Sequence, residues 1–197
     1  MIELPACPPI RDAVPKLIGY FTDQIPVLGG PQSRVSRVGD RWGIEVQTAA
    51  AEYATDGKRY LARLLRGMRE TVVVAFPEPG VAVKDYGAPV VSTAGAAGLS
   101  LPLGGLKPGE TIEEGKFLTI IINGQRFLYQ AAADVTAGIG GTANLPIYPM
   151  IRVQPPVGAV VKIAKPEIEG FVQGNEQSWN ISRSKYLPFN FAIVEVE

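Results

Sequence analysis

Residues 50–68 read AAEYATDGKRYLARLLRGM, and the way this stretch folds constrains everything around it. Tyr53, Tyr60, Leu61, Leu64, Leu65 and Met68 recur at the helical period, which predicts one amphipathic helix over about 50–67. Lys58, Arg59, Arg63 and Arg66 fall mostly off that apolar stripe, toward water or a partner. Gly57 inside the pattern costs roughly 1 kcal/mol relative to Ala, so tertiary packing has to hold the helix. Gly67 suits the left-handed residue that often ends a helix, and Arg66 and Arg69 complement the negative end of its dipole. A lone helix with a wide apolar face needs a sheet to lie on.

The flanking sequence supplies strands. Upstream, 1–32 is broken by prolines and predicts an extended arm carrying one strand, with a short apolar piece at 17–21. Segments 33–38 and 41–48 then read as a hairpin across Gly39-Asp40, a pair suited to a type II′ turn. Trp42, Ile44 and Val46 share one face, the one expected to receive the helix. Downstream, 71–76 (TVVVAF) is an apolar strand stopped by Pro77 and Pro79.

Glycine, alanine and proline then dominate 80–110, with Val90-Val91 and the alternating Leu99, Leu101 and Leu103 as short strands. Segments 117–122 and 125–131 flank Asn123-Gly124, the favoured type I′ pair. That register sets Ile120 opposite Phe127 and Leu118 opposite Tyr129. Further strands are expected at 142–147, 151–153, 160–163, 171–172, 179–181 and 189–196. The composition shift near residue 79 suggests an inserted β domain at 79–153 within a domain built from 1–78 and 154–197. The class is mainly β, an α+β arrangement with one helix.

Composition narrows the function. Hydrophobic residues make up 46% of the 197 and charged residues 19%, a globular profile. Lys plus Arg equals 19 and Asp plus Glu equals 19, so no net field steers the chain onto nucleic acid or acidic lipid. Gly 22 and Pro 17 fit a turn-rich β fold. Cys7 is the single cysteine, which leaves no internal disulfide framework and no Cys-based zinc site. The absence of histidine removes the commonest general base and metal ligand, and every Ser-His or Cys-His nucleophile system. Glu3 and several prolines stand where a signal peptide needs a basic start and an apolar core. The longest apolar runs, such as 117–122, are strand length, so synthesis and folding in the cytoplasm without a membrane span are expected.

Several patterns invite a chemical reading, and each has a plainer one. The AGIGG run at 137–141 lacks the helix and the Lys-Ser/Thr of a phosphate loop and reads as a turn. Glu113-Glu114 and the pair Glu167 and Glu169 are candidate acid–base carboxylates for sugar cleavage, or ordinary surface charges. Asp134 has no Asp/Asn-rich loop around it to hold a cation. Trp179, Tyr186, Phe189 and Phe191 are a stacking platform or, by their strand spacing, core. Cys7 has nothing nearby to activate it. No catalytic, cofactor or metal site is expected, and nothing here calls for an enzyme.

The order of these blocks resembles a known family. DRWGIEVQT followed by AEYATDGKRYLARLLRGM is similar to the opening block of the distal tail proteins of long-tailed bacteriophages, where an Arg-Trp strand leads into one amphipathic helix and a Gly stop. EEGKFLTIIINGQRFLYQAAADVTAGIGGTANLPIYPMIRV resembles the family's second signature, with Tyr129, Asp134, Gly141, Pro149 and Arg152 near the matching positions. The end resembles its closing strands, with Trp179, Tyr186, Phe191 and Glu195 in place. The likeness spans roughly 34–197 and departs at Glu113-Glu114 and at Lys116, which stands at the family's Asp position.

The resemblance implies a structural virion protein of the phage tail tip, made in the host cytoplasm. Its belt domain would be an antiparallel split barrel or sandwich, with a small β domain inserted. Six copies would form a ring joining the tail tube to the baseplate hub and tape-measure proteins, around a channel that DNA crosses. Lys58, Arg59, Arg63 and Arg66 would then meet a neighbouring subunit or the passing DNA. Alternatives are a tail tube or terminator protein, or a carbohydrate-binding host-attachment module using Tyr86 or Tyr148. A β-rich hydrolase using Glu113 or Glu167 is a third class.

Overall fold

A computed structural model describes residues 1–179 and 185–196. Strand accounts for 45% and helix for 7%, so the chain is mainly β with one helix among the described residues. Strands β1 (Ile2–Glu3), β2 (Ile10–Ile18), β3 (Phe21–Gln24), β4 (Ser33–Ser36), β5 (Arg41–Thr48) and β6 (Ala51–Glu52) come first. A π-helical turn, Tyr53–Gly57, opens into the helix α1, Lys58–Arg66. Then follow β7 (Val72–Ala75), β8 (Gly87–Val91), β9 (Ser100–Leu106), β10 (Thr111–Ile112), β11 (Phe117–Ile122) and β12 (Gln125–Ala131). The remainder are β13 (Val135–Thr136), β14 (Ala143–Tyr148), β15 (Val161–Lys162), β16 (Glu167–Val172), β17 (Tyr186–Leu187) and β18 (Asn190–Glu195).

One six-stranded sheet runs β1-β7-β16-β18-β5-β2, antiparallel except for the parallel β1–β7 pair. The helix lies on it as its apolar stripe requires. Tyr60, Leu61 and Leu64 are buried in one cluster with Trp42, Ile44, Val46, Val72, Ile168 and Ile193. Tyr60 stacks on Phe189 with ring centroids 5.1 Å apart. Burial of this kind stabilises by about 1.5–3 kcal/mol per large side chain, which is what holds a nine-residue helix too short to persist alone.

A second sheet runs β15-β11-β12-β14-β9-β8 and curls into a near-closed barrel. Closure comes at Val90, which bridges Val160, while the Val91 N–H donates to the Ala159 carbonyl. Alternation along the strands fills the interior with Leu101, Leu103, Leu118, Ile120, Tyr129, Leu145 and Ile147. Asn123 (φ 51°) and Gly124 (φ 85°) make the expected I′ turn, with Ile120 opposite Phe127 and Leu118 opposite Tyr129. Strand β12 is buried on both faces: Phe127 and Tyr129 point into the barrel, and Leu128 joins the core under the helix. The barrel takes in Val161–Lys162, so its strands come from 87–162.

Several expectations need correcting. The helix begins later than residue 50, because the chain spends Ala51–Glu52 pairing with β17. The wider π turn also rotates Tyr53 off the stripe, leaving it 45% exposed. Gly67 is right-handed (φ −61°, ψ −12°), so it is not a left-handed stop. Glycine is needed there for space: a Cβ would overlap the Val72 side chain and come within 2.9 Å of Val172 Cγ2.

The largest difference lies in residues 1–48. The 1–32 region holds three strands and not one, and 33–38 does not pair with 41–48. Strand β5 pairs instead with β18 (Ile44↔Ile193) and β2 (Ile44↔Pro15), and β4 pairs with β3. Lying between two strands lets β5 bury Ile44 and Val46 completely, a gain that a local turn at Gly39-Asp40 does not offer. The result is one long ribbon, β2–β3 out and β4–β5 back, turning over 25–32. It bends where Asp40 Oδ1 accepts the Tyr20 N–H at 2.6 Å. Segment 151–153 is not a strand, and Pro155 and Pro156, one residue beyond it, fit that. Of the 179–181 strand, Trp179 is irregular, and 180–181 lie outside the described residues.

Candidate functional site

The strongest concentration of buried charge sits where the open sheet meets the barrel. Glu195, at the end of β18, is buried directly after the apolar run 191–194. Its Oε2 accepts the Trp42 N–H at 2.8 Å and Arg152 Nη2 at 2.8 Å, and its Oε1 accepts the Leu128 N–H at 2.7 Å. Burial pushes the Glu195 carboxyl up, opposed by Arg152 and by the two backbone donors. The Arg152 N–H in turn donates to the Tyr129 hydroxyl at 3.4 Å, and its guanidinium stands 5.3 Å from the Phe127 ring. One carboxylate therefore ties β5, β12, β18 and the 149–153 segment together.

A second cluster gathers on Arg126 of β12. Its Nε donates to Glu167 Oε2 at 2.6 Å, its backbone N–H donates to Glu169 Oε2 at 3.0 Å, and Nη2 lies 3.3 Å from Glu3. Glu169 Oε1 accepts the Thr71 hydroxyl at 2.7 Å, and Lys162 reaches Glu167 at 2.7 Å. Burial raises the Glu167 carboxyl, but Lys162 and Arg126 outweigh it and hold it below the ordinary range. A third pair, Lys116 with Glu78, is also buried, and Glu78 Oε1 accepts the Phe117 N–H at 3.0 Å. Breaking a buried pair on one side costs about 3–5 kcal/mol, so these clusters fix the barrel against the sheet.

The four basic residues of the helix are not equivalent. Arg63 Nη1 donates to the Glu3 carbonyl at 2.7 Å, and Arg66 pairs with Glu70 at 3.0 Å. Arg66 holds the Glu70 carboxyl below its usual range. Those two serve the chain's own first strand and helix end, while Lys58 and Arg59 stand exposed.

The other candidates resolve locally. Glu167 and Glu169 share Arg126, and structural donors occupy their oxygens. Glu113 pairs with Lys84 at 2.7 Å, and Asp134 Oδ1 accepts the Glu114 N–H at 2.6 Å, fastening a turn. The 137–141 run is a turn, with the Gly141 N–H donating to the Gly138 carbonyl. Phe189 and Phe191 are core, whereas Trp179 and Tyr186 are exposed, so the four make no shared platform. Tyr86 is buried at 4% exposure inside the barrel, which removes it as an exposed sugar contact, while Tyr148 is exposed. Asp56 beside Cys7 pushes the thiol up, away from the reactive form.

Sequence reasoning did not single out Arg126, although a charge alone in QRFLYQA, between apolar neighbours, was the available signal. Among the described residues no group of three or more His, Cys, Asp or Glu is arranged to hold a metal ion. Likewise no described helix is long and apolar enough to cross a membrane.

The surface differs from the joint. Among the described residues neither edge of the open sheet, β1 or β2, has a further strand beside it. The β3–β4 ribbon ends in Ile25, Val27 and Leu28, exposed at 73%, 99% and 98%. The chain matches no family model and no curated protein sequence.

Proposed function

We propose that this chain is a structural component of a phage tail tip, a distal tail protein whose copies form a ring, six by the resemblance, between the tail tube and the baseplate hub. The observation that carries the reading is where the molecule puts its ionisable groups. Glu195, Arg152, Arg126, Glu169, Lys116 and Glu78 are spent on the joint between sheet and barrel, and open strand edges are left at the surface. A rigid two-part body with free edges suits assembly, because unpaired strand edges and apolar tips are satisfied by other chains. Lys58 and Arg59 then face either a neighbouring subunit or DNA in the channel. The residues that carry the resemblance also support it, since Tyr129, Arg152 and Glu195 make one buried cluster.

Labelling the protein on intact virions tests the assignment. Signal confined to the distal end of the tail is the expected outcome. Signal along the shaft or at the head joint would favour the tube or terminator alternative.

A further inference from the structure

Among the described residues β3 and β4 pair only with each other, and two-stranded ribbons are marginal without something to pack on. Its charges are Asp23 and Arg34, paired at 2.6 Å, and Arg37, so it carries one residual positive charge. The tip, 24–32, has no charge at all. At the β1 edge of the open sheet, beside β7 and far across it from β2, lies an open apolar groove of about 400 Å³. Its walls are the 3–10 segment, with Leu4, Pro5 and Pro9, and Val73, Val74 and Phe76. Its charged lining consists of Glu3 and Glu167; Glu167 is already paired with Arg126 and Lys162, whereas the Glu3 side chain stays 68% exposed.

The uncharged apolar tip fits an apolar groove, and the ribbon's spare positive charge, Arg37, is opposite in sign to the groove's Glu3, yet within one copy they do not meet: Val27 and Leu28 stand in solvent. We propose that the ribbon tip of one copy docks in the 3–10 groove of the next, joining the sheets head to tail. This rests on the ring reading and supplies its contact. A heterologous contact of this kind repeats from copy to copy and closes when the rotation per copy divides a full turn.

The native Cys7 gives a direct test, since it lies between Ala6 and Pro8 of the groove wall and is exposed. A Val27→Cys protein treated with a short thiol–thiol crosslinker is expected to give a covalent ladder running beyond dimers. The ladder should vanish when Cys7→Ala is added. Dimers that persist without Cys7 would mean tip-to-tip contact and would overturn the proposal. Separately, Val27→Asp with Leu28→Asp should weaken self-association about 100-fold or more, as expected when two large apolar side chains lose their burial. Wild-type assembly with unchanged affinity in that double variant and no ladder would overturn the docking while leaving the ring intact. A wild-type protein that stays monomeric at high concentration would overturn both.

Discussion

The barrel brings β8 back to β15 through Val90 and Val160, whereas the open sheet stops at β1 on one side and at β2 on the other. The two layers have the same number of strands and share β12 as a wall, yet they treat their edges oppositely. In the barrel nearly every strand finds a partner within the chain, and Leu101, Leu103, Leu118 and Leu145 are completely buried. In the open sheet the outer strand carries Pro15 and Lys16, and the ribbon beyond it exposes Phe21, Val35 and Val38. Proline and lysine on an edge discourage indiscriminate pairing. The contrast separates a part whose strands are paired within the chain from a part whose edges stay open, which is what the proposed assembly requires.

Removing the coupling between the two should have the largest effect. Glu195→Ala leaves Arg152 buried without its carboxylate and strips the acceptor from two backbone N–H groups. A loss of about 3–5 kcal/mol is expected in urea unfolding. If the joint is what makes sheet and barrel unfold together, the single transition should also split, with Trp42 fluorescence changing first. A loss under about 1 kcal/mol with one transition would show that the layers are held by apolar contact alone.

Gly67→Ala probes the open sheet by itself. The added methyl overlaps Val72 and crowds Val172, so about 1–3 kcal/mol should be lost and the helix lifted from β7. A neutral or stabilising result would mean that the helix end has slack to give.

Acid should act on the joint through Glu167. Its folded value lies below the ordinary 4.5, so it stabilises the fold above that pH, and the contribution is lost as pH falls through the lowered value. Glu195, pushed up by burial, has the opposite sign and does not add to the acid loss. Thermal melts from pH 6 to 3 should therefore fall less steeply in Glu167→Gln than in the wild type (on the order of one titrating group). Parallel curves would remove Glu167 from the account.

The smallest change in stability is expected at the ribbon tip. Val27→Ser with Leu28→Ser should stay within about 0.5 kcal/mol of wild type, because neither side chain touches the rest of its own copy. A larger loss would mean that the tip packs within the monomer.

What the sequence revealed followed the range of each interaction. The Asn123-Gly124 hairpin was legible down to its register, because four neighbouring residues determine it. The Tyr60, Leu61 and Leu64 stripe was legible for the same reason, although the π turn that displaced Tyr53 left no mark in the pattern. Strand β5 was misassigned because a nearby glycine turn suggested β4 as its partner, when its real neighbours are β2, reached across the longer ribbon, and β18, which begins about 140 residues later. The joint was the least legible part. Glu195 meets Leu128 across 67 positions and Trp42 across 153, and no spacing rule reaches that far. A charge set after an apolar run, as Glu195 in FAIVE, or inside one, as Arg126 in QRFLYQA, was the only trace of it.

Electron microscopy of the purified chain, supported by native mass spectrometry, addresses the central claim most directly. Closed rings of one fixed subunit number, with the open sheets in contact and the barrels apart, are the predicted result. Single separate particles at every concentration, unchanged by adding tail tube protein, would contradict it.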